Sequence, residues 1–243
     1  MIDLLHIFMP KKVLISIIGD PRNYKPARYR YAGAWVKGKF SSSVVMDVEK
    51  PDETVLISQY TMAKEGSKFE DLQVGTIEYM KKFIGDVDRF RHKIIAPGVV
   101  RVRDKEREYV YMGGIFNFYA YVLYSLARFF EGLSGDIEVV LDLTHGINYM
   151  GYLTLRAVNL VLDVYSMVKD VTLKIVNSDP YPQGWEGQTS PDLYMNVVLE
   201  KVITPTLNYP ASWSVGLFRV VRGRYCSCDT VADSVVWFKR ARA

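Results

Sequence analysis

The 243 residues are 49% hydrophobic and 24% charged, a balance that supplies one sizeable core and excludes collagen-like, low-complexity and intrinsically disordered chains. The formal net charge of +4 is unevenly placed: residues 211–243 carry six basic side chains (Arg219, Arg222, Arg224, Lys239, Arg240, Arg242) against Asp229 and Asp233, so residues 1–210 are neutral. That body lacks the broad basic bias of a long-duplex binder, and any anion site in it must be local.

The opening MIDLLHIFMP is apolar but has neither the basic start nor the small-residue cleavage site of a secretory signal. Residues 1–10 are predicted to be an N-terminal extension. Val13-Leu-Ile-Ser-Ile-Ile18 is a continuous β-branched run ending at Gly19, as a strand buried on both faces requires. Thr54-Val-Leu-Ile-Ser58 repeats that pattern and stops at Gln59-Tyr60-Thr61. Phe69 to Phe83 has apolar residues at helical spacing, and Lys93-Ile-Ile-Ala-Pro97 predicts a further short strand. A long helix is predicted over Tyr109 to Glu131, closed by Gly132; its most apolar part, Ile115 to Phe130, is broken by Asn117 and Arg128 and is too short to cross a bilayer. Asp136 to Leu143 is the clearest strand, followed by a helix over Gly151 to Val168, a strand over Val171 to Val176 and a last alternating strand over Leu193 to Ile203. This alternation predicts an α/β, Rossmann-like doubly wound fold, a mainly parallel sheet with helices on both faces.

In such sheets ligands bind beyond the carboxyl ends of the strands, near the point where strand order reverses. Three polar loops fall there. Gly19-Asp20-Pro21-Arg22-Asn23-Tyr24 offers a close-approach glycine, a carboxylate, a guanidinium, an amide and a ring. Asp142-Leu143-Thr144-His145-Gly146-Ile147-Asn148-Tyr149 marks a strand giving way to a helix whose first N–H groups can face an anion. Asn177-Ser178-Asp179 ends a later strand. Tyr60, Thr61, Gly113 and Gly114 are secondary candidates, and the tyrosines at 119, 121 and 124 read as core or dimer surface rather than stacking platforms. No Gly-x-Gly-x-x-Gly and no phosphate-loop pattern occurs, which disfavours dinucleotide oxidoreductases and nucleoside triphosphatases. Three histidines (His6, His92, His145) and one tight Cys226-x-Cys228 pair give little material for a metal centre, so no metal and no cofactor is expected; the sparse cysteine usage fits a reducing cytoplasm.

The stretch Asp142-Leu-Thr144-His145-Gly146 with Asn148-Tyr149 resembles the signature of CRISPR-associated proteins that carry a CARF (CRISPR-associated Rossmann fold) domain. Gly19 to Tyr24 resembles that family's first-strand loop, and Asn177 to Tyr181 its late-strand loop. The resemblance implies a CARF domain over residues 11–209 and a homodimer whose facing strand ends form one pocket for a cyclic oligoadenylate. Cyclic tetra-adenylate is the leading candidate, a second messenger made by type III CRISPR complexes that have detected foreign RNA. Gly19, Asp20, Arg22, Asn23, Tyr24, Tyr60, Thr61, Gly113, Asp142, Thr144, His145, Gly146, Asn148, Tyr149, Asn177 and Ser178 are then the expected ligand contacts.

Some members of the family cleave the ring without metal, by aligning a ribose hydroxyl on its neighbouring phosphate; Thr144, His145, Arg22 and Lys174 would be the groups for that reaction here. Many members also carry a HEPN ribonuclease domain, signed by an arginine followed a few residues later by a histidine. No histidine follows His145, and no arginine precedes it at that spacing, so that nuclease is not expected in this sequence. Residues 210–243 read as a short basic tail or an effector-domain stub. A nucleic-acid-binding regulator is a third reading; no helix-turn-helix pattern with a basic recognition helix supports it. No membrane partner and no long duplex is expected.

Overall fold

The computed structural model describes residues 10–63, 68–103, 108–185 and 189–205. His6 and the Cys226–Cys228 pair, with most of the expected N-terminal extension and the whole of the expected basic tail, lie outside the described residues. Among the described residues ten strands and four α-helices follow in chain order: β1 (Lys11–Ile17), β2 (Ala27–Tyr31), β3 (Ala34–Gly38), α1 (Ser42–Glu49), β4 (Glu53–Gln59), α2 (Phe69–Lys81), β5 (His92–Ala96), β6 (Val99–Arg103), β7 (Glu108–Met112), α3 (Ile115–Glu131), β8 (Ile137–Asp142), α4 (Asn148–Tyr165), β9 (Val171–Ser178) and β10 (Asp192–Val202).

Eight strands form one sheet in the order β3-β2-β10-β9-β8-β1-β4-β5, and β6-β7 is a separate hairpin. Strand β1 is parallel to β4 on one side and to β8 on the other, β4 is parallel to β5, and β8 to β9. The chain therefore winds outward from β1 in both directions, and strand order reverses between β1 and β8. Strand β10 runs antiparallel to β9, and β2 to β3, which makes the sheet mixed at one side. The expected doubly wound, mainly parallel α/β architecture is the one observed.

The β-branched runs have the burial they imply. Val13, Leu14, Ile15 and Ile17 are buried alternately against two cores. One core lies between the sheet and α3 with α4, through Val13, Ile15, Ile17, Phe118, Val122, Leu126, Ala157 and Val161. The other lies on the opposite face with α1 and α2, through Leu14, Ile18, Phe40, Val44, Val45, Phe69 and Met80. No helix among the described residues is long and apolar enough to cross a membrane.

Three departures from the sequence reading have local causes. The long helix starts at Ile115, not Tyr109: residues 108–112 pair as β7 with β6, and the Gly113-Gly114 pair separates strand from helix. Gly114 N–H donates to Asn117 Oδ1 at 2.8 Å, so the asparagine reaches back to cap the first turn. The helix after β8 spans Asn148–Tyr165, starting and ending earlier than its apolar pattern suggests. Residues 27–49, which carry no element in the sequence reading, form β2, β3 and α1. Ala27, Tyr29 and Tyr31 point inward and Arg28 and Arg30 outward, joined to β3 by a turn with Ala32 and Gly33 at φ 46° and 86°. Gly33 suits a position where a side chain would be strained.

Phe118 is fully buried in α3 and meets the Tyr149 ring edge-on at 5.6 Å between centroids. Phe118→Ala is expected to lower the free energy of unfolding by about 3–5 kcal/mol, the usual loss for a buried phenylalanine. Denaturant titration of both proteins measures this, and a loss below about 1 kcal/mol would contradict the packing described.

Candidate functional site

Strand β8 ends in a buried carboxylate. Asp142 is 1% exposed, yet its carboxylate has three donors. Ser41 Oγ and Ser42 Oγ donate to Oδ2 at 2.9 and 2.6 Å, and the Thr144 N–H donates to Oδ1 at 2.9 Å. A buried carboxylate is tolerated only when so paired, and its position at the first turn of α1 sets it against the positive end of that helix. Asp142 therefore ties β8 to α1 from inside and does not present its oxygens to a ligand.

The next two residues of the motif extend the tie. Ser41 N–H donates to His145 Nε2 at 3.1 Å, which fixes that nitrogen as an acceptor and satisfies an N–H at the start of α1. The imidazole stacks on Tyr24 at 4.5 Å, lies 5.2 Å from the Phe40 ring, and meets Tyr29 edge-on at 6.2 Å. Burial pushes the His145 pKa down from 6.5 to about 4, against a weaker upward pull from the Asp142 charge. The ring is neutral at pH 7. Thr144 Oγ1 accepts from the Ser178 N–H at 3.0 Å, which joins the β8 loop to the end of β9. Gly146 allows the loop to pass β1, since a Cβ there would meet Ile17 Cδ1 at 2.5 Å.

Around this frame lies a cleft of about 260 Å³ lined by Asn23, Tyr24, Lys25, Tyr29, Lys39, Thr144, His145, Ser178, Asp179, Tyr181 and Leu193. The loops after β1, β8 and β9 thus meet at one place, beside the reversal of strand order, where open α/β sheets take their ligands. Tyr24 supports the floor as well as lining it: its hydroxyl accepts the Gly19 N–H at 3.1 Å, and burial raises its phenol pKa above the usual value. Lys25 and Lys39 are exposed on this cleft, and the Lys25 ammonium lies 5.7 Å from the Tyr181 ring. Asp179 accepts from the Tyr194 N–H and from Asn196 Nδ2, so its charge is partly compensated.

Of the residues selected from sequence, Asn23, Tyr24, Thr144, His145 and Ser178 line the cleft. Gly19 is buried at the base of the first loop, Gly146 is exposed beside it, and Asn148 opens α4. Asn177 is exposed on β9 opposite Asn196, outside the cleft lining. Arg22 folds back on Asp20, with Nε and Nη2 at 2.8 and 2.5 Å from Oδ2, and does not line the cleft. Asp20 also accepts from the Tyr79 hydroxyl at 3.1 Å, so the pair closes the first loop on itself. Lys174 lies apart from the cleft lining. Its ammonium lies 3.3 Å from Glu49, 3.6 Å from Glu138 and 3.9 Å from Glu200, within a charge network away from the cleft. Burial works against its charge, but those carboxylates outweigh it and raise its pKa. The four candidate catalytic groups are not brought together.

Tyr60, Thr61, Gly113 and Tyr149 form a separate group at the ends of β4 and β5. Tyr149 Oη donates to Gln59 Oε1, and a Cβ at Gly113 would meet Gly98 O at 2.9 Å and Tyr60 Oη at 3.1 Å. Lys25, Tyr29, Lys39 and Leu193 line the cleft although the sequence reading does not select them, and Asp179 and Tyr181, placed in the late-strand loop but not selected as contacts, line it too. Lys25 directly follows the first polar loop and could have been included on that ground; Lys39 directly follows β3 and Leu193 lies on β10, and the place of these strands beside the cleft depends on sheet order.

The depressed His145 pKa has a stability consequence with a definite sign. A histidine whose folded pKa lies below its unfolded value stabilises fully above about pH 6.5 and loses that contribution as pH falls toward 4. From pH 7.5 to 4.5 the wild type is expected to lose roughly 2–3 kcal/mol more unfolding free energy than His145→Gln, whose amide oxygen can still accept from Ser41. Denaturant titrations at both pH values test this, and parallel losses in the two proteins would refute it.

Residues 13–180 match the family described as "CRISPR system endoribonuclease Csx1, CARF domain". The CRISPR system endoribonuclease Csx1 of Methanocaldococcus jannaschii is 30% identical over 202 residues, a match that covers 81% of this chain and 42% of the relative. The chain thus spans less than half the length of that relative. Among solved structures, Enterococcus italicus Csm6 bound to cyclic hexa-2'-fluoro-hexa-dAMP aligns with a TM-score of 0.38 and 12% identity, covering 74% of this chain and 36% of that one. With its Asp142-x-Thr144-His145-Gly146 turn closing a Rossmann-like switch point and its family match running from β1 through β9, this chain belongs to the CARF domain family of Csx1 proteins.

Proposed function

We propose that the chain senses a cyclic oligoadenylate, with cyclic tetra-adenylate the preferred ring, at the strand ends of a homodimer in type III CRISPR defence in the cytoplasm. The observation that carries this reading is the cleft at the β1/β8 reversal, where the Tyr24 and Tyr181 rings stand beside two exposed lysines in a body of no net charge. Rings that stack on bases and cations that meet phosphates are the two components an oligonucleotide ligand requires.

Size favours a shared site. About 260 Å³ falls below the range of roughly 300–1,000 Å³ usual for one small ligand, which favours a ring of several nucleotides being held between two copies. Two copies facing each other across a two-fold axis would offer two clefts to a ring of matching symmetry. An apolar surface stands ready for that contact. Phe116 is 82% exposed and Tyr152 66%, with Ile115 and Ile147 also exposed, all near the N-terminal ends of α3 and α4. The Thr144–Ile147 loop joins the two features: Thr144 and His145 line the cleft, and Ile147 belongs to the apolar surface. Membership of the family described as the CARF domain of a CRISPR system endoribonuclease agrees with this reading.

The geometry favours binding over cleavage of the ring. His145 is neutral, with Nε2 already accepting a hydrogen bond, while Arg22 and Lys174 are paired elsewhere.

Calorimetric titration with cyclic tetra-adenylate is expected to give micromolar or tighter binding, and the Lys25→Ala/Lys39→Ala double variant to bind at least about tenfold more weakly, from two lost charge-assisted contacts. No heat at micromolar protein, or an unchanged affinity in the double variant, would overturn the assignment. The ring is expected to remain intact after prolonged incubation in chelator; linear products would replace sensing with turnover. Phe116→Asp is expected to shift the chain from dimer to monomer by light scattering, and an unshifted dimer would place the interface elsewhere.

A further inference from the structure

The sheet side β3-β2-β10 carries a second surface that the cleft does not use. Strand β2 separates the two: Tyr29 turns into the cleft, while Arg28 and Arg30 turn to the opposite, exposed face. On that face the register sets Trp35 beside Arg30 and Arg30 beside Tyr194, a row running across three strands. The Arg30 guanidinium lies 5.2 Å from the Trp35 ring and 5.5 Å from the Tyr194 ring, and the two rings are 5.9 Å apart. The adjacent row is Lys37, Arg28 and Asp192. Arg28 grips Asp192 with Nε and Nη2 at 2.6 and 2.5 Å, and its guanidinium also lies 4.8 Å from Trp35.

This row adjoins a groove of about 630 Å³ whose lining includes Arg28, Lys37, Trp185 and Asp192 and shares no residue with the cleft. Trp185 is 41% exposed, and its indole N–H is fixed on the Thr189 carbonyl at 2.8 Å. Trp35 and Tyr194 are 39% and 45% exposed. Exposed rings held by guanidiniums on a sheet face are pre-oriented and lose little side-chain freedom on contact. Three cations against one carboxylate leave the patch positive in a body without net charge. An anionic partner fits the charge, and only one that also carries flat rings uses Trp35, Tyr194 and Trp185. The groove volume lies within the range for a nucleotide-sized occupant.

We propose that the outer face of β3-β2-β10 is a binding platform for single-stranded nucleic acid, with bases stacked on Trp35, Tyr194 and Trp185 and phosphates on Arg30 and Lys37. The strand is linear and the surface is distinct from the cleft, so this site neither requires nor supplies cyclic oligoadenylate binding. Stacking on exposed rings is worth about 1–3 kcal/mol per base and depends little on sequence.

The test is fluorescence anisotropy with labelled linear oligouridine RNA, the matching oligothymidine DNA, and a duplex of the same length, on the full chain. Either single strand is expected to bind at low salt, with log affinity falling against log salt at a slope of about −1.4, as for roughly two neutralised phosphates. The duplex, whose bases are already stacked, is expected to bind at least about tenfold more weakly. The Trp35→Ala/Arg30→Ala variant is expected to lose about tenfold or more in single-strand affinity. Trp35→Phe is expected to retain affinity within about threefold, because it keeps a ring. All variants are expected to keep the wild-type melting curve and affinity for cyclic tetra-adenylate, which separates this site from the cleft. Failure of both single strands to bind at micromolar protein, equal binding of the duplex, or unchanged binding by the double variant would each overturn the platform.

Discussion

Asp142 organises the region on which the functional reading rests. A carboxylate buried this deeply must be matched by donors, and it draws them from two directions: the Ser41 and Ser42 hydroxyls at the start of α1, and the N–H of its own Thr144. With that pairing in place, His145 falls where it accepts from Ser41, Thr144 reaches the Ser178 N–H, and Tyr24 stacks on the imidazole. Four chain segments distant in sequence are thereby fixed at one corner of the sheet. The motif thus acts first as a clip. Its polar atoms mostly face one another, and the groups left facing the cleft include Asn23, Lys25, Lys39 and Tyr181 from neighbouring loops.

This division explains why the signature was visible and the cleft was only half visible in the sequence. The strands β1, β4 and β8 announce themselves by β-branched runs, and the polar turn after β8 stands out against them. The position of that turn at a strand end follows from element order alone. What Asp142 contacts does not: Ser41 lies 101 residues earlier, and nothing local signals the pairing. Strand β2 was legible in principle, because Ala27, Tyr29 and Tyr31 alternate with arginines, but its five residues lack the continuous apolar run of a central strand. Helix α1 has only eight residues and begins with two serines, so its apolar face is brief.

The misplacement of Lys174 has the same origin. Alternation along β9 states that Lys174 shares a face with neighbours two residues away, but not which charges wait on that face. Sheet order sets Glu138 on β8 and Glu200 on β10 at its sides, and α1 brings Glu49 over it. Arg22 turns back on its own loop for a nearer reason: a two-residue spacing from Asp20 lets the pair close locally. The start of α3 was read too early because Tyr109 to Met112 is apolar enough to join the helical pattern, whereas Gly113-Gly114 and the β6 partner decide for a strand.

The two faces of β2 offer different chemistries, one to the cleft and one to the outer surface, and the dimeric reading concerns only the first. Its central claim is that two clefts hold one ring between them. Native mass spectrometry of the protein with cyclic tetra-adenylate tests this most directly. The account predicts one species of two chains with one ring, and no chain that carries a ring alone. A dominant species of one chain with one ring would contradict it.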